Sequence, residues 1–382
     1  MSIKIAILGM GNMGCNYAKM IDAGLVNNVE IKAVTRVSDE RKKELKELFE
    51  REIEIYHSAE KIFEAVRQNI LAIDAVLITT PHMMHAEHTI EAMQLGLHVL
   101  CDKPAGVYSC QARFMREEVK KYKNIVFTMM FNQRMNPAYQ KIKKIVDKKI
   151  YGKLKRVHWV ITDWYRPNNY YKSVVGRGTW EKDGGGILLN QCPHNLDLLQ
   201  WIFGMPKTVQ AFCNEGKYHD ILVEDEVTAY FEFSDGVTGV FYSTTGEASG
   251  INRLEVAFED GLLVCENGKI KIYELGVVES EYRKTATNYF TQPKGYWREI
   301  ACKEEKYQHA KLLQNFVDTI SGQDSLFVDG VEGGKSLILS NVMYLSSWKN
   351  KKIKVPKNQS EEYALEKMFA EEMKKKIDSY ML

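Results

Sequence analysis

Residues 3–14 read IKIAILGMGNMG, an apolar run that stops at Gly9, Gly11 and Gly14 in G-x-G-x-x-G spacing. Ile, Ala and Leu with a single Lys suit a strand buried on both faces. Glycine at 9 permits a tight turn, glycine at 11 lets the backbone approach a pyrophosphate, and glycine at 14 lets a helix pack closely on the strand. Asn12 and Met13 then fall in the first turn of that helix, where amide donors and a partial positive charge suit an anion. A plain glycine turn is the bland alternative. The placement between a strand and a helix favours a dinucleotide, with Gly9, Gly11, Asn12, Met13 and Gly14 as its contacts.

The same rhythm continues outward. Strand-like runs at 3–8, 30–35, 53–56, 75–79, 98–101 and 126–130 alternate with helical patterns, such as 39–51 with Leu45, Leu48 and Phe49 on one side. Strands alternating with helices imply parallel pairing through crossover helices, a doubly wound α/β sheet. Beyond about residue 150 the pattern changes. Residues 153–164 look extended, and a helix over 191–203 ends at Gly204. Strand-like runs over 207–275 are punctuated by "SDG", "EDG" and "ENG", with "VTAYFEF" and "VTGVFYS" reading as an antiparallel hairpin. Helical periodicity returns at 305–321 and 331–348, and Leu365, Met368, Phe369 and Met373 mark a tail helix packed on the body or on a neighbouring subunit. The expected division is 1–130, 131–355 and 356–382.

Composition excludes several classes. With 45% hydrophobic and 27% charged residues the chain is globular, and its net charge of +2 gives no reason to expect nucleic acid or a membrane surface. No window approaches the roughly 20 apolar residues of a membrane span, and the short run before Gly9 is no secretory signal. The 7 cysteines are odd in number, scattered and without a CxxC pair, so a reducing, cytoplasmic setting is expected.

The second strand ends in Thr35 and Arg36 rather than in the acid that would hold an NAD ribose. An arginine there can pair with a 2′-phosphate, so NADP is favoured over NAD. Thr80, Pro81, His85, Asp102 and Lys103 follow the next two strands at their carboxyl ends, where ligands of such sheets bind, and are candidate cofactor contacts. His82, His85 and His88 recur every three residues, but steps of about 100° separate them around a helix. We expect no metal there and read them as helix-start and surface histidines. Lys103 is held by Pro104, which disfavours a helical conformation before it. Beside a nicotinamide cation its ammonium meets like-charge repulsion, which fits it for proton work.

"GGGILLNQCPHNLD", residues 184–197, places Asn190 and His194 four apart. A helix starting at Asn190 or Gln191 puts Pro193 in its first turn, where proline is tolerated, and both side chains on one face. Asn190 alone reads as a helix cap and His194 as a core histidine. With Lys103 and the glycines, His194 reads as a general base, its free pKa of about 6.5 suiting neutrality. Between strand and glycines, Trp164, Tyr165, Tyr170, Tyr171 and Trp180 alternate with Arg166, Asn168, Asn169 and Arg177. Flat rings and polar groups suit a sugar, and the arginines leave room for a carboxylate or phosphate. Asn132 and Arg134 begin the link between domains and are placed near the nicotinamide.

The glycine motif, "TPHMMHAEHTIEAMQLGLHVLCDKP", "GGGILLNQCPHNLDLLQWIFG" and "FVDGVEGGKSLILSNVMYLSSW" together resemble the Gfo/Idh/MocA family of glucose–fructose oxidoreductase and inositol dehydrogenase, over roughly residues 1–355. The resemblance implies a Rossmann domain followed by an α/β domain with a large, mostly antiparallel open sheet, forming a homodimer or homotetramer. It also implies NAD(P)-dependent redox chemistry on a sugar or polyol. Catalytic roles fall on Lys103, His194 and Asn190, and substrate contacts on Arg134, Trp164, Arg166, Tyr171, Arg177 and Trp180 with Asn190 and His194. Two departures stand out: Asp102 replaces the family's glutamate before lysine–proline, and Asn190 replaces its aspartate. A glycosidase using transient oxidation and a non-catalytic cofactor sensor are the alternatives.

Overall fold

The computed structural model describes residues 2–35, 37–44 and 53–380. Arg36 and most of the helix expected over 39–51 lie outside the described residues; Asp39–Glu44 is helical. The chain divides into two compact units, Met1–Met135 with Lys306–Leu337, and Asn136–Glu305 with Ile338–Leu382. The return at 306–337 was not drawn from the sequence. Thr128 Oγ1 donates to the Val328 carbonyl at 2.7 Å, and Gly330 lies so close to Phe127 that a Cβ would come within 2.4 Å of its ring.

In the first unit β1 (Ile3–Leu8), β2 (Val29–Thr35), β3 (Glu54–Tyr56), β4 (Ala75–Ile78), β5 (His98–Cys101) and β6 (Phe127–Met129) form one sheet. Its order is β3-β2-β1-β4-β5-β6 and its pairings are all parallel. All four side chains of β4, and Ile5, Ile7 and Leu8 of β1, are buried. Strands sunk on both faces are what a parallel sheet covered by helices requires, at about 1.5–3 kcal/mol for each large aliphatic side chain. The order reverses between β1 and β4, which creates a crevice at their carboxyl ends.

The second unit carries β7 (Leu154–Ile161), β8 (Thr208–Glu215), β9 (Glu224–Glu232), β10 (Thr238–Thr244), β11 (Asn252–Phe258), β12 (Gly261–Glu266), β13 (Lys269–Leu275), β14 (Gly295–Ile300) and β15 (Ile353–Lys354). Among the described residues they run β14-β13-β12-β11-β7-β10-β9-β8-β15, antiparallel except for β7 beside β10. Val157, Trp159 and Ile161 of β7 are buried while the residues between them are not, the period of two of a sheet with one covered face. The three turn signals join β9 to β10, β11 to β12 and β12 to β13. In two of them Asp235 and Asn267 take positive φ, 59° and 50°, each followed by glycine. The tail helix Gln359–Ser379 packs on its own unit: Leu365, Phe369 and Met373 are buried, and Phe369 stacks on Trp348 at 5.6 Å.

Candidate active site

The glycine loop sits at the β1–β4 crevice. Gly9 has φ +101°, and a Cβ there would meet the Thr79 carbonyl at 2.6 Å; a Cβ on Gly14 would lie 2.0 Å from the Gly9 carbonyl oxygen. A Cβ on Gly11 would meet nothing within 4 Å. The turn is thus closed on the protein side and open where Gly11 caps the helix Asn12–Asp22, with Asn12 and Met13 in its first turn. That open backbone at a helix N-terminus fits a dinucleotide pyrophosphate. Thr35 ends β2 beside this turn. Its hydroxyl accepts from the Gly9 amide at 2.8 Å, and Thr79 donates to the Gly9 carbonyl, so neighbouring strands fix the loop from both sides.

One strand further on, Asp102 Oδ1 accepts from the Lys103 amide at 2.8 Å, and half-buried Lys103 precedes a cis proline. His85 lies behind this turn. Its Nδ1 is 2.7 Å from the Pro104 carbonyl and its Nε2 is 2.7 Å from the Thr80 carbonyl. It therefore ties the loop after β4 to the loop after β5. Burial pushes its pKa down, opposed by the Pro104 carbonyl and by Asp102. His309, on the helix Gln308–Ile320, is also pushed down by burial; Asp102 opposes this and Lys103 adds to it. The reading of these histidines as surface groups is corrected: His85 and His88 are both buried, and His88 Nδ1 meets Thr80 Oγ1 at 3.0 Å. Helical spacing could not show that two strand-end loops converge on them. Among the described residues no three His, Cys, Asp or Glu side chains converge as metal ligands would.

In the second unit the glycine stretch is organised by a residue the sequence reading missed. Glu224, fully buried at the start of β9, accepts from the amides of Gly186 and Leu188 at 2.9 Å each and from Tyr344 Oη at 2.7 Å. Burial raises its pKa to about 7, against the lowering effect of those donors. A Cβ on Gly186 would lie 1.9 Å from the Glu224 carbonyl oxygen, so only glycine lets the segment come this close. The signal in the sequence is "EDE" at 224–226, three acids entering a buried strand. The helix expected over 191–203 is present as Pro193–Phe203, and a separate helical turn, Ile187–Asn190, precedes it. Asn190 ends the first, its amide 3.4 Å from the carbonyls of Gly185 and Gly186, and so is no N-cap of the second. Pro193 and His194 open the second, His194 is buried, and Gly204 ends it with φ 81°.

The aromatic segment lies beside this junction. Gln191 Nε2 donates to Tyr170 Oη at 3.4 Å, and Tyr171 Oη meets Thr245 Oγ1 at 3.0 Å. Arg166 and Arg177 both lie over the Tyr170 ring, 5.1 and 4.6 Å from its centroid, and Arg166 is 5.6 Å from that of Trp164. His219 holds the segment from behind, with Nε2 2.8 Å from the Arg166 carbonyl and Nδ1 2.9 Å from buried Asp225. Two expected substrate contacts are engaged elsewhere. Trp180 is buried edge-on to Tyr344 and Trp348, at 5.2 Å from each. Arg134 is buried in the first unit against Glu332, whose carboxyl it and Lys335 hold down although burial opposes them. Each partner lies more than 160 residues away in sequence, beyond the reach of local pattern.

Comparison with known proteins follows the same division. Residues 3–130 match the model of the oxidoreductase family with an NAD-binding Rossmann fold, and residues 139–264 match the GFO/IDH/MocA C-terminal domain. Myo-inositol 2-dehydrogenase of Thermotoga maritima is 24% identical over 352 residues, covering 88% of this chain and 94% of that protein. The NADP(+) scyllo-inositol 2-dehydrogenase IolW of Bacillus subtilis is 28% identical over 213 residues, 55% of this chain and 54% of that protein. Among solved structures, WlbA dehydrogenase of Bordetella pertussis in complex with NADH and UDP-GlcNAcA superposes with a TM-score of 0.75 at 22% identity, covering 94% of this chain and 100% of that one. With an open glycine turn at the sheet's switch point and both family models matched in order, the chain belongs to the Gfo/Idh/MocA family of oxidoreductases.

Proposed function

We propose that the protein is a dehydrogenase or reductase of a hydroxyl-bearing carbon in a sugar, glycoside or cyclitol, with Lys103 and His194 handling the hydroxyl proton. The observation that carries the reading is the glycine turn after β1, open at Gly11, two strands away from a lysine set in place after β5 by Asp102 and His85. Gly9, Gly11, Asn12, Met13 and Gly14 would hold the pyrophosphate, and Thr80, Pro81, Asp102 and Lys103 would border the nicotinamide. A bound nicotinamide supplies the acceptor or donor of hydride. His194 takes the hydroxyl proton in oxidation and returns it in reduction. Lys103 donates to the same oxygen as negative charge develops on it. Asn190 orients the site without adding charge, and Trp164, Arg166, Tyr171 and Arg177 face the sugar.

The purified protein, offered a panel of sugars, glycosides and cyclitols with NAD and NADP, should change absorbance at 340 nm in proportion to substrate consumed. Aglycone release without such a change would support the glycosidase reading instead. NADP is the preferred cofactor in this proposal, because β2 ends without a carboxylate at Thr35 and Arg36 follows it. Arg36→Glu should reverse the ratio of kcat/KM for the two cofactors; an unchanged ratio rejects the preference. Assembly through the nine-stranded sheet into dimers or tetramers belongs to the same reading, and a monomer in sedimentation velocity would reject it.

A further inference from the structure

We infer that the substrate carries an oxyanion, a carboxylate or a phosphate, recognised by Arg166 and Arg177 over the Tyr170 ring. The inference rests on the proposed reading of residues 162–183 as the sugar-facing segment and names the substrate class it selects.

Arg166 and Arg177 are half-buried residues, and among the described residues neither forms an ion pair. Arg166 donates to its neighbour's carbonyl, Tyr165 O, at 2.9 Å; Arg177 donates to the Tyr170 carbonyl at 3.2 Å and to Ser173 Oγ at 2.8 Å. Every acceptor they meet is neutral, and each uses one nitrogen of a fork with five N–H donors. The nearby acids form no ion pair with either arginine, although Asp183 is close enough to feel the Arg177 charge. Asp183 accepts from the Gly178 amide at 2.7 Å, Glu181 lies 3.4 Å from Lys182, and Asp225 holds His219. Burial pushes the carboxyls of Asp183 and Asp163 up, although the nearby Arg177 charge pulls Asp183 the other way.

A third donor stands beside Arg166. Trp164 Nε1 is buried and has no hydrogen-bond partner among the described residues, under an indole that Arg166 overlies. Two cations and an indole N–H make this cluster richer in donors than in acceptors. A hydroxyl both donates and accepts, so a neutral sugar complements such a set poorly. A carboxylate or phosphate accepts only and takes bidentate pairs from a planar guanidinium. The Tyr170 hydroxyl touches Gln191, three residues before His194, so the anion would be read next to the junction that bears the proposed base.

Calorimetric titration of the wild-type protein with D-glucuronate, D-glucose 6-phosphate and uncharged D-glucose, with NADP present, tests the inference without requiring turnover. At least one anionic sugar should bind roughly tenfold to a hundredfold more tightly than glucose, and which one separates carboxylate from phosphate. The advantage should shrink as salt is raised. Arg166→Gln and Arg177→Gln should each reduce the ratio of anionic to neutral affinity. Equal affinity for all three sugars, or variants that keep the wild-type ratio, would overturn it. Should a variant fail to fold, the salt dependence of the wild-type ratio decides alone: a flat ratio is fatal. Selective anion binding with no sugar oxidised or reduced would instead reject the proposed reaction and leave the anion site standing.

Discussion

Gly11 and Gly14 belong to one motif but answer to different constraints. A Cβ on Gly14 would press against backbone, the Gly9 carbonyl at 2.0 Å, which cannot move without moving β1; a Cβ on Gly11 would meet nothing within 4 Å. Gly14→Ala should therefore cost about 1–3 kcal/mol in urea denaturation, the usual range for overpacking. Gly11→Ala should unfold at the wild-type midpoint yet weaken an NADPH fluorescence titration, since its methyl enters the space left for pyrophosphate. Equal loss of stability in both variants would contradict this division. Asn190 raises a question of charge. An aspartate there, four residues before His194, favours the imidazolium, so His194 would stay protonated to higher pH. In Asn190→Asp the alkaline limb of the reductive rate should move to higher pH. A pH–rate profile that does not move would show that the two side chains do not interact.

At the scale of elements, Glu224 shows where local reading ends. From sequence the helix over 191–203 is legible within two residues of its observed start, but the turn Ile187–Asn190 before it is not. That turn is held by β9, where the Glu224 carboxylate accepts from two amides 36 and 38 residues earlier. Strands bounded by glycines and turn residues were legible nearly to the residue, β1 and β5 among them, because burial on both faces leaves a continuous apolar run. The buried partners of His85, Arg134 and Trp180 were not, since each contact closes only when distant segments meet. Glu224 also gives the fold a pH dependence of stated sign. Its folded pKa, about 7, stands above the carboxylate value of the unfolded chain. Between about pH 4.5 and 7 the folded state holds the extra proton, so stability falls as pH rises through that window and levels off above it. Glu224→Gln loses one good acceptor, about 1–3 kcal/mol, but cannot ionise. Urea denaturation at pH 5 and pH 8 should show the wild type's advantage over Glu224→Gln shrinking at pH 8. An advantage that stayed the same at pH 5 and pH 8 would mean the carboxylate is ionised throughout.

For the whole molecule the sequence conveyed the two architectures, one sheet parallel and sunk on both faces, the other mostly antiparallel with alternating burial, because each strand records which of its faces is covered. It did not convey that the chain re-enters the first unit at 306–337, since that segment is bound through contacts such as Thr128 to Val328, 200 residues apart. The proposed chemistry is likewise divided, with Lys103 in the first unit and His194 in the second. If both act on one hydroxyl, neither is useful alone: a base without the group that stabilises the oxygen, or the reverse, recovers little. Lys103→Ala and His194→Ala should each lower kcat by about 10²–10⁴-fold, and the double variant should be hardly slower than the worse single one, the non-additivity of groups that work as a unit. NADPH should still bind His194→Ala as it binds the wild type, because the dinucleotide contacts proposed above all lie in the first unit. Losses that multiply in the double variant would assign Lys103 and His194 to separate steps, and the shared hydroxyl would have to be abandoned.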